Sequence, residues 1–405
     1  MSGPARPSEL RPALVLLIAI TAIGPFAMNV SVPLMPGLAK DFGTSYAVIQ
    51  LTLTAYLVAT AVSTPILGPL SDQHGRRPVL LAGIFIFMVG SLVCASAPTA
   101  EVLIAGRALQ AVGGASGWVL ARTVIYDVYG PRRAASLIGY VTMAMVLAPM
   151  VAPAIGGYVE PWAGWRAIFW ALFAAGGALG AWCVVSLRET RHLSGGVVET
   201  VNLTTLQALF RLPAFWGYSI NLGFASGMFF SFIAGAPFVV VEVMGLPAAS
   251  YGHYFILISC GYMFGNFLSG RFSERVGSDR MIVAGCMVAF VGLAMLWLFR
   301  DFERPVGIFL PMAMIAISNG MTLPNGTASA MSLRPEFAGS ASGIAGSIQL
   351  TIGAFMSVIV GALMVNSADP MILAMTASGL LSALGIMIAL HPRKSGGAPR
   401  KRRAT

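Results

Sequence analysis

The chain has 405 residues, of which 57% are hydrophobic and 10% are charged, and its formal net charge is +10. A soluble domain is about one-quarter charged, so this composition excludes a soluble globular protein and predicts an integral membrane protein. The 4 cysteines each lie alone in an apolar stretch, so neither a disulfide framework nor a metal-binding cluster is predicted.

Apolar stretches of about 20 residues, long enough to cross roughly 30 Å of hydrocarbon, recur along the chain. They predict twelve membrane-spanning helices, near residues 12 to 36, 46 to 70, 78 to 97, 101 to 124, 134 to 158, 166 to 187, 213 to 240, 249 to 271, 279 to 299, 305 to 328, 340 to 365 and 370 to 391. The predicted parts are an N-terminal six-helix bundle (1–187), a cytoplasmic linker (188–212), a C-terminal six-helix bundle (213–391) and a basic cytoplasmic tail (392–405).

The basic residues predict the orientation of these helices. With both termini in the cytoplasm, 19 of the 25 Lys and Arg residues lie on that side, four lie outside, and Arg107 and Arg122 lie within the fourth span. Cytoplasmic loops of membrane proteins carry such an excess. The positive tail is therefore expected to contact anionic lipid headgroups, and no nucleic-acid partner is expected.

The first span contains Pro25 and Asn29 and leaves through Pro33-x-x-Pro36. It lacks the short apolar core and small-residue cleavage site of a signal peptide, so we expect it to remain in the mature protein. Asn29 lies at a depth close to that of Arg107 in the fourth span, and the two side chains are expected to meet.

A charged segment from Gly68 to Pro78 follows the second span, and a degenerate copy of it follows 202 positions later. Two glycines, Gly68 and Gly75, and the acid Asp72 recur in the copy, where Glu274 is the acid. Such internal repetition is typical of transporters built from two related halves, each with its own hinge. The glycines are expected to allow a tight turn and close helix approach, and Asp72 to pair with cations or cap the next helix.

Two arginines, Arg76 and Arg77, end this segment and are expected to bridge to neighbouring helices. Asp127, at the inner end of the fourth span, is the predicted acceptor. Such pairs would make and break as the two halves rock against each other. The alternative is that both arginines only anchor the topology.

Arg107 lies about six residues inside the fourth span, roughly 9 Å deep at 1.5 Å per residue. A charge at that depth is costly unless it faces a cavity or a partner, so Arg107 is predicted to line a pathway. Gln110, Gly114 and Trp118 follow on the same helical face. The alternative is an arginine that reaches back to the interface.

The fifth span carries small residues at every fourth position, namely Ala148, Ala152 and Gly156. This face is expected to lie against a partner helix, and Pro149 and Pro153 to bend the helix. The arrangement would seal one half against proton leak, whereas the alternative is ordinary tight packing.

These motifs resemble known ones. The segment GPLSDQHGRRP resembles motif A of the major facilitator superfamily, and Arg107-x-x-Gln110 with Gly113, Arg122 and Asp127 resembles its motif B. Ala148-Pro149, Ala152-Pro153 and Gly156-Gly157 resemble the antiporter motif C. Pro324-Asn325 and the segment AGSASGIAGSIQ are similar to the bicyclomycin and chloramphenicol resistance (Bcr/CflA) branch of drug:proton antiporters.

The resemblance implies two pseudo-symmetric six-helix bundles that export compounds by alternating access. It also implies an aspartate at the position of Asn29. An asparagine side chain cannot titrate, so Asn29 cannot carry the proton. Because no carboxylate is clearly buried in mid-membrane, three other proton sites stay open: a deeper Glu101 or Glu242, the histidine His253, or partner exchange between Asp72 and Asp127.

The substrate pathway is expected to combine aromatic and Met side chains with sparse polar groups. The predicted lining residues are Asn29, Tyr56, Arg107, Gln110, Trp118, Met143, Phe230 and Asn319. The predicted gating residues are Gly68, Asp72, Gly75, Arg76, Arg77, Arg122, Asp127, Pro149, Pro153, Gly156, Gly157 and Glu274. An arginine without a nearby acid favours neutral or anionic cargo, phenicol-like or metabolite-like, over lipophilic cations.

The sequence therefore predicts a monomeric exporter of small organic compounds in the bacterial inner membrane, driven by protons and using no cofactor. The alternative within transport is a metabolite exporter or facilitator without proton coupling. A membrane enzyme is disfavoured because the sequence contains no HExxH, GxSxG or GxxxxGK[ST] motif. A channel is disfavoured because it would not need paired hinges.

Overall fold

A computed structural model describes residues 14–190, 209–300, 304–334, 338–364 and 367–391. Within these ranges it gives no side-chain description at 130–136, 138–140, 142–147, 150 and 338–340. Most of the predicted linker and the whole basic tail lie outside the described residues.

The N-terminal half consists of helices throughout its described length. They are α1 (Leu14–Val30), a 3-10 turn (Val32–Leu34), α2 (Met35–Asp41), α3 (Tyr46–His74), α4 (Arg76–Ala95) and α5 (Ala100–Ser186). The first predicted span is thus α1 together with the turn and α2, because Pro33 and Pro36 interrupt regular helical hydrogen bonding near its end.

The C-terminal half is also helical. Its helices are α6 (Pro213–Phe238), which continues into a π-helical turn (Val239–Val243), α7 (Ala248–Val276), α8 (Ser278–Leu298), α9 (Val306–Ser332), α10 (Ala338–Leu363) and α11 (Asp369–Leu390). Within the described ranges no residue lies in a β-strand.

Helix α5 contains three of the predicted spans in one helical run of 87 residues. A straight helix of that length would be about 130 Å long, several times the thickness of a bilayer. The run therefore reverses direction, since Gly114 and Gly156, far apart along α5, both pack against α1. One reversal is at Gly164, whose φ of +72° is readily adopted only by glycine. The predicted spans follow one another without a non-helical loop, apart from the change of direction at Gly164, and the three crossings stand.

By length and composition, nine helical segments of the described residues are apolar enough to cross a membrane. The predicted fourth and eighth spans are not among these segments, and the predicted fifth span contributes only its last residues to the segment Val151–Ser186, because most of its side chains lie outside the described set. The fourth span carries Arg107, Gln110 and Arg122, and the eighth carries His253, Asn266 and several Tyr and Ser residues, so polar side chains lower the mean hydropathy of both. The prediction of an all-α, multi-pass membrane protein with twelve crossings is confirmed.

Each half forms its own bundle. In the N-terminal half α1, α3 and α4 pack on α5, and in the C-terminal half α6 packs on α10 and α11 while α9 packs on α7 and α8. The two halves meet where α3 contacts α10 and where α5 contacts α7. These two helix pairs are the largest of the described contacts between the halves, and movement between the halves must change them.

The charged segment after the second span is helical over most of its length, which corrects the predicted turn. Residues from Gly68 to His74 complete α3, and α4 begins at Arg76. Only Gly75 breaks the helical path, with φ of +100°, and Gly277 does the same in the second half with φ of +94°. A Cβ on Gly68 would meet nothing within 4 Å, so the close helix approach predicted there is absent from the described structure.

Candidate functional site

Arg107 lies in the interior of the N-terminal half, with 1% of its surface exposed. Its Nη1 donates hydrogen bonds to the carbonyl oxygen of Ala27 at 3.0 Å and to Oε1 of Gln110 at 2.5 Å. Its Nη2 donates to the carbonyl oxygen of Met28 at 3.2 Å. The guanidinium therefore joins the fourth span to the end of α1.

These carbonyl groups are available because α1 ends at Val30. The last four carbonyl groups of an α-helix have no amide partner within the helix, and the negative end of the helix dipole points at them. Ala27 and Met28 belong to this last turn. Arg107 thus satisfies unpaired acceptors and places a positive charge where the dipole favours one, without a carboxylate.

A short polar network supports the guanidinium. Gln110 donates from Nε2 to Oγ of Ser91 at 2.8 Å, and Ser91 donates to the carbonyl oxygen of Phe87 at 2.8 Å, so α4 holds Gln110 in place. Tyr56 of α3 presents its ring to Arg107, with 4.5 Å from the guanidinium carbon to the ring centre. Such a cation–π contact is stabilising where water is excluded.

Close backbone contact between α1 and α5 makes room for this network. A Cβ on Gly24 would lie 3.0 Å from the carbonyl oxygen of Gly114, and a Cβ on Gly114 would lie 2.9 Å from the hydroxyl oxygen of Tyr56. Tyr56 in turn donates to the carbonyl oxygen of Gly24 at 2.9 Å. Gly114 is therefore required by its contacts with α1 and Tyr56, in addition to its predicted place on the helical face of Arg107.

Asn29 is fully buried beside this network. Its Nδ2 donates to the carbonyl oxygen of Pro25 at 2.8 Å, and its Oδ1 has no hydrogen-bond partner among the described residues. Arg107 reaches the backbone of Met28, one residue before Asn29, and no hydrogen bond joins the two side chains in the described structure. In this part of the chain no carboxylate pairs with Arg107 either.

The other predicted lining residues are spread over both halves. Trp118 is half-buried, with its ring centre 5.3 Å from the guanidinium carbon of Arg122. Phe230 is buried against Phe229 in the C-terminal half, with ring centres 5.7 Å apart. Asn319 is buried there too, and its Oδ1 lacks a partner among the described residues. The side chain of Met143 is outside the described set.

The predicted gating charges meet at the end of the molecule that carries Gly75, which we call the basic end. Arg76 pairs with Asp72, donates from Nε to Oδ2 of Asp127 at 3.1 Å and from Nη1 to Oγ of Ser71 at 2.6 Å. Burial raises the pKa of the Asp127 carboxyl, which lies beyond the predicted fourth span, and the hydrogen bonds and charge of Arg76 offset part of that rise.

Glu189 is a member of this cluster that the sequence analysis missed. Its Oε1 accepts from the backbone amide of Arg76 at 2.9 Å, and its Oε2 accepts from that of Arg77 at 3.1 Å. The side chain of Arg77 donates to the carbonyl oxygen of Val184 at 2.8 Å instead of reaching Asp127. The sequence of α4 did indicate such a partner. This helix begins with two arginines and has no acid in its first turn, so a negative group from elsewhere is favoured at its N-terminus.

The two halves are joined by polar contacts at the opposite end of the molecule. Tyr46 donates to the carbonyl oxygen of Ala234 at 2.7 Å, and Gln50 donates to Oγ of Ser357 at 2.7 Å. Lys40 and Glu242 form an ion pair of 2.9 Å. Glu242 therefore forms an ion pair between the two halves. Glu101 is exposed in the first turn of α5, so neither acid lies deeper than the sequence suggested.

The fifth span adds backbone packing to this closure. A Cβ on Gly157 would lie 2.9 Å from Cα of Ala249, and Gly252 of α7 abuts the backbone of Ala154. Gly156 packs on the carbonyl oxygen of Val30, so the small face of this span contacts both α1 and α7. Pro149 and Pro153 lie within the helical run of α5.

His253 of α7 is also part of this junction. It forms a hydrogen bond with Tyr158 of α5, and the two rings meet edge to face with centres 4.9 Å apart. Both side chains are exposed, so His253 lies at the surface of the contact between α5 and α7 and not in the interior of a bundle.

Toward the basic end, α3 and α10 carry glycines that make no close contact. A Cβ on Gly68 of α3, or on Gly343 or Gly346 of α10, would meet nothing within 4 Å. The same two helices are in contact at the opposite end through Gln50 and Ser357, so the described contacts between α3 and α10 tighten away from the basic end.

Comparison with known proteins decides the family. The model described as "Major Facilitator Superfamily" matches residues 17–357. The chain belongs to this superfamily. Members are transporters, so the prediction of a transporter and not an enzyme is confirmed.

Two superfamily relatives carry names from drug resistance. The "Bicyclomycin resistance protein homolog" of Haemophilus influenzae is 27% identical over 92% of this chain and 94% of its own length. The "Multidrug resistance protein D" of Escherichia coli is 30% identical over 92% of this chain and 94% of its own length. The predicted resemblance to the Bcr/CflA branch is confirmed.

A solved superfamily structure shows the same fold. It is that of a bacterial homologue of the human lysosomal transporter Spinster, with a TM-score of 0.74 at 16% identity, covering 96% of this chain and 97% of the other.

Proposed function

We propose that this transporter exports small organic compounds from the bacterial cytoplasm by alternating access, driven by inward proton movement. The observation that carries the proposal is the pair of interfaces between the halves. They are closed at the opposite end by Tyr46, Gln50 and the Gly157–Ala249 contact, while open space remains at Gly68 and Gly346. A carrier in this state takes up cargo from the side of the basic end.

The basic end faces the cytoplasm in this proposal, and both termini lie on that side. The bias of 19 against four basic residues supports this orientation, since positive loops are retained in the cytoplasm. The membrane is the bacterial inner membrane. Export of drugs is supported by the relatives named for bicyclomycin and multidrug resistance.

The charge around Arg107 supports neutral or anionic cargo, such as phenicol-like compounds. In the described structure its partners are neutral oxygens, and the nearby Asn29 offers an unpaired, buried Oδ1. A buried cation without an acid attracts negative or hydrogen-bond-accepting groups. A lipophilic cation would instead meet repulsion at this point.

Three candidate proton sites differ in their surroundings. Glu101 and His253 are exposed, Glu242 is paired with Lys40, and Asp127 has only 2% of its side chain exposed. We therefore assign the proton to the group formed by Asp72, Arg76 and Asp127, where protonation of Asp127 would weaken its hold on Arg76.

Proton release tests the proposal. The detergent-purified protein in weakly buffered solution should release protons when chloramphenicol is added, and the D127N variant should release fewer. Release that is absent in the wild type, together with chloramphenicol efflux from cells lacking their own pumps, would favour a facilitator without proton coupling. This second candidate function is favoured by Asn29, because a neutral side chain at that position cannot bind and release a proton.

A further inference from the structure

We propose that Glu189 fixes the start of the connection between the halves to the hinge at Gly75, so that its carboxylate controls how fast the transporter changes state. Glu189 would be a positioning residue that acts through the hinge without touching cargo. The proposal uses only the superfamily membership and does not depend on what drives transport.

The first observation is that Glu189 occupies the position of a missing helix cap. The residue before α4 is Gly75, which has no side chain to accept the first free amides, and the first turn of α4 holds no acid. Glu189 accepts from the amides of Arg76 and Arg77 at 2.9 and 3.1 Å. A carboxylate there also opposes the unfavourable meeting of two arginines with the positive end of the helix dipole.

The second observation is the fit of this carboxylate against Gly75. A Cβ on Gly75 would lie 2.6 Å from Oε2 of Glu189. Gly75 is therefore needed for two reasons, namely its positive φ and the space that Glu189 occupies. Any side chain at position 75 would therefore displace the carboxylate that caps α4.

The matched hinge of the C-terminal half is built differently. A Cβ on Gly277 would meet nothing within 4 Å, and α8 carries its own acid, Asp279, in its first turn. Asp279 accepts from the hydroxyl of Tyr218 at 2.7 Å, so that hinge is tied within its own bundle. Among the residues that the structure describes, the N-terminal hinge alone takes its cap from the residues that follow α5.

Glu189 lies at the start of the connection between the halves, so its bond to the hinge links that connection to α4. Glu189 lies three residues after Ser186, the last residue of α5, and the chain continues from there to the C-terminal half. The next residue, Thr190, donates to Oδ2 of Asp127 at 3.3 Å, the same oxygen that binds Arg76. Two successive residues thus hold the start of the connection to α4, directly after the hinge, and to Asp127 of α5, the residue that also binds Arg76.

Three variants separate the cap from general packing. E189A removes the carboxylate, and E189D keeps the charge on a shorter side chain. E189Q keeps the shape, but its NH₂ group replaces one oxygen and so faces one of the two backbone amides without being able to accept from it. D369N is the matched control, because Asp369 is an exposed acid in the first turn of α11 and lies away from the hinge.

Initial transport rates in proteoliposomes are the first readout. Losing a helix cap of typical strength should lower Vmax roughly five- to thirty-fold in E189A and E189Q while KM stays unchanged. E189D should recover a large part of the rate, and D369N should match the wild type. An unchanged Vmax in both E189A and E189Q would overturn the proposal, as would E189D no better than E189A.

Spin labels on H74C and V276C give a second readout that needs no cargo. Both positions are exposed and stand beside the two hinges. With the exposed Cys260 replaced, the distance distribution between the labels should broaden in E189A and E189Q relative to the parent and D369N. An identical distribution in all of them would reject the coupling, even if transport itself proved to be facilitation without protons.

Discussion

The guanidinium carbon of Arg107 lies 4.5 Å from the ring centre of Tyr56, and the hydroxyl of Tyr56 donates to the carbonyl oxygen of Gly24, six residues before α1 ends at Val30. One cation and one aromatic ring therefore hold α1, α3 and α5 together in the N-terminal half.

Replacing Arg107 by alanine should abolish most transport. The change removes hydrogen bonds from a charged donor, worth about 1.5–3 kcal/mol each, and leaves the carbonyl groups of Ala27 and Met28 unpaired. A loss of 3 kcal/mol in transition-state stabilisation corresponds to roughly 100-fold in rate. Efflux rates in cells and proteoliposomes measure the effect.

R107K is the matched control, because lysine keeps the charge but lacks the planar fork that reaches three acceptors. Its activity should fall between those of wild type and R107A. If R107A transports at the wild-type rate while remaining folded, Arg107 has no part in the site.

Replacing Asn29 by aspartate should change the preferred charge of the cargo. The new carboxylate would stand next to the backbone that Arg107 binds, where it can neutralise the guanidinium and attract a cation. We expect export of tetraphenylphosphonium to appear and efflux of chloramphenicol to weaken. Accumulation of both compounds in pump-deficient cells measures the switch.

N29A removes the amide without adding charge and serves as the control. It should leave tetraphenylphosphonium export at the background level. Equal gains in N29A and N29D would show that size, and not charge, sets the selectivity.

Replacing Gly114 by alanine should destabilise the N-terminal half. Its Cβ would lie 2.9 Å from the hydroxyl oxygen of Tyr56 and 3.1 Å from Cα of Gly24, so α1 and α5 must move apart. Overpacking of this kind costs about 1–3 kcal/mol. Thermal unfolding in detergent should show the loss, and Y56F should relieve part of it in the double variant.

Gly346 offers a control for the same chemical change. A Cβ there meets nothing within 4 Å, so G346A should keep or slightly raise stability, because alanine favours a helix. A G114A protein as stable as G346A would contradict the close contact between α1 and α5.

A disulfide between Gly157 and Ala249 should lock the halves at the opposite end. The two backbones touch here, since a Cβ on residue 157 would lie 2.9 Å from Cα of Ala249, so a disulfide can form once the two helices move slightly apart to give the usual spacing of about 3.5–4.5 Å between the Cβ atoms. Oxidised G157C/A249C protein should lose transport, and a reducing agent should restore it. The two single variants under the same oxidant are the controls.

Undiminished transport by the fully cross-linked protein would mean that these residues need not separate during the cycle. That result would contradict alternating access through the α5–α7 interface.

Much of the fold could be predicted, because apolar length, glycine repetition and the bias of basic residues are local properties of the chain. The helix boundaries were harder: hydropathy places crossings but does not show that α5 stays helical through them, nor that the hinge is reduced to Gly75. The site was predicted only in part. The depth of Arg107 indicated a partner, but the carbonyl groups of α1 are backbone atoms that leave no mark in the residue types.

Glu189 escaped prediction for a related reason. It lies in a polar stretch where one acid resembles another, and its value depends on folding back to α4 over 113 residues of chain. The contact of Gly24 with Gly114 likewise depends on how two helices cross, which the spacing of small residues permits but does not specify.

Because no acid pairs with Arg107 within the described residues, we expect the membrane potential to act on its charge whenever it moves along the membrane normal. Arginine keeps its proton at any pH that a cell meets, so the guanidinium contributes a full positive charge at every step of the cycle. Moving one elementary charge through 100 mV is worth about 2.3 kcal/mol. Each displacement of Arg107 along the membrane normal therefore adds an electrical term to the return of the empty carrier, and a negative cargo would cancel it.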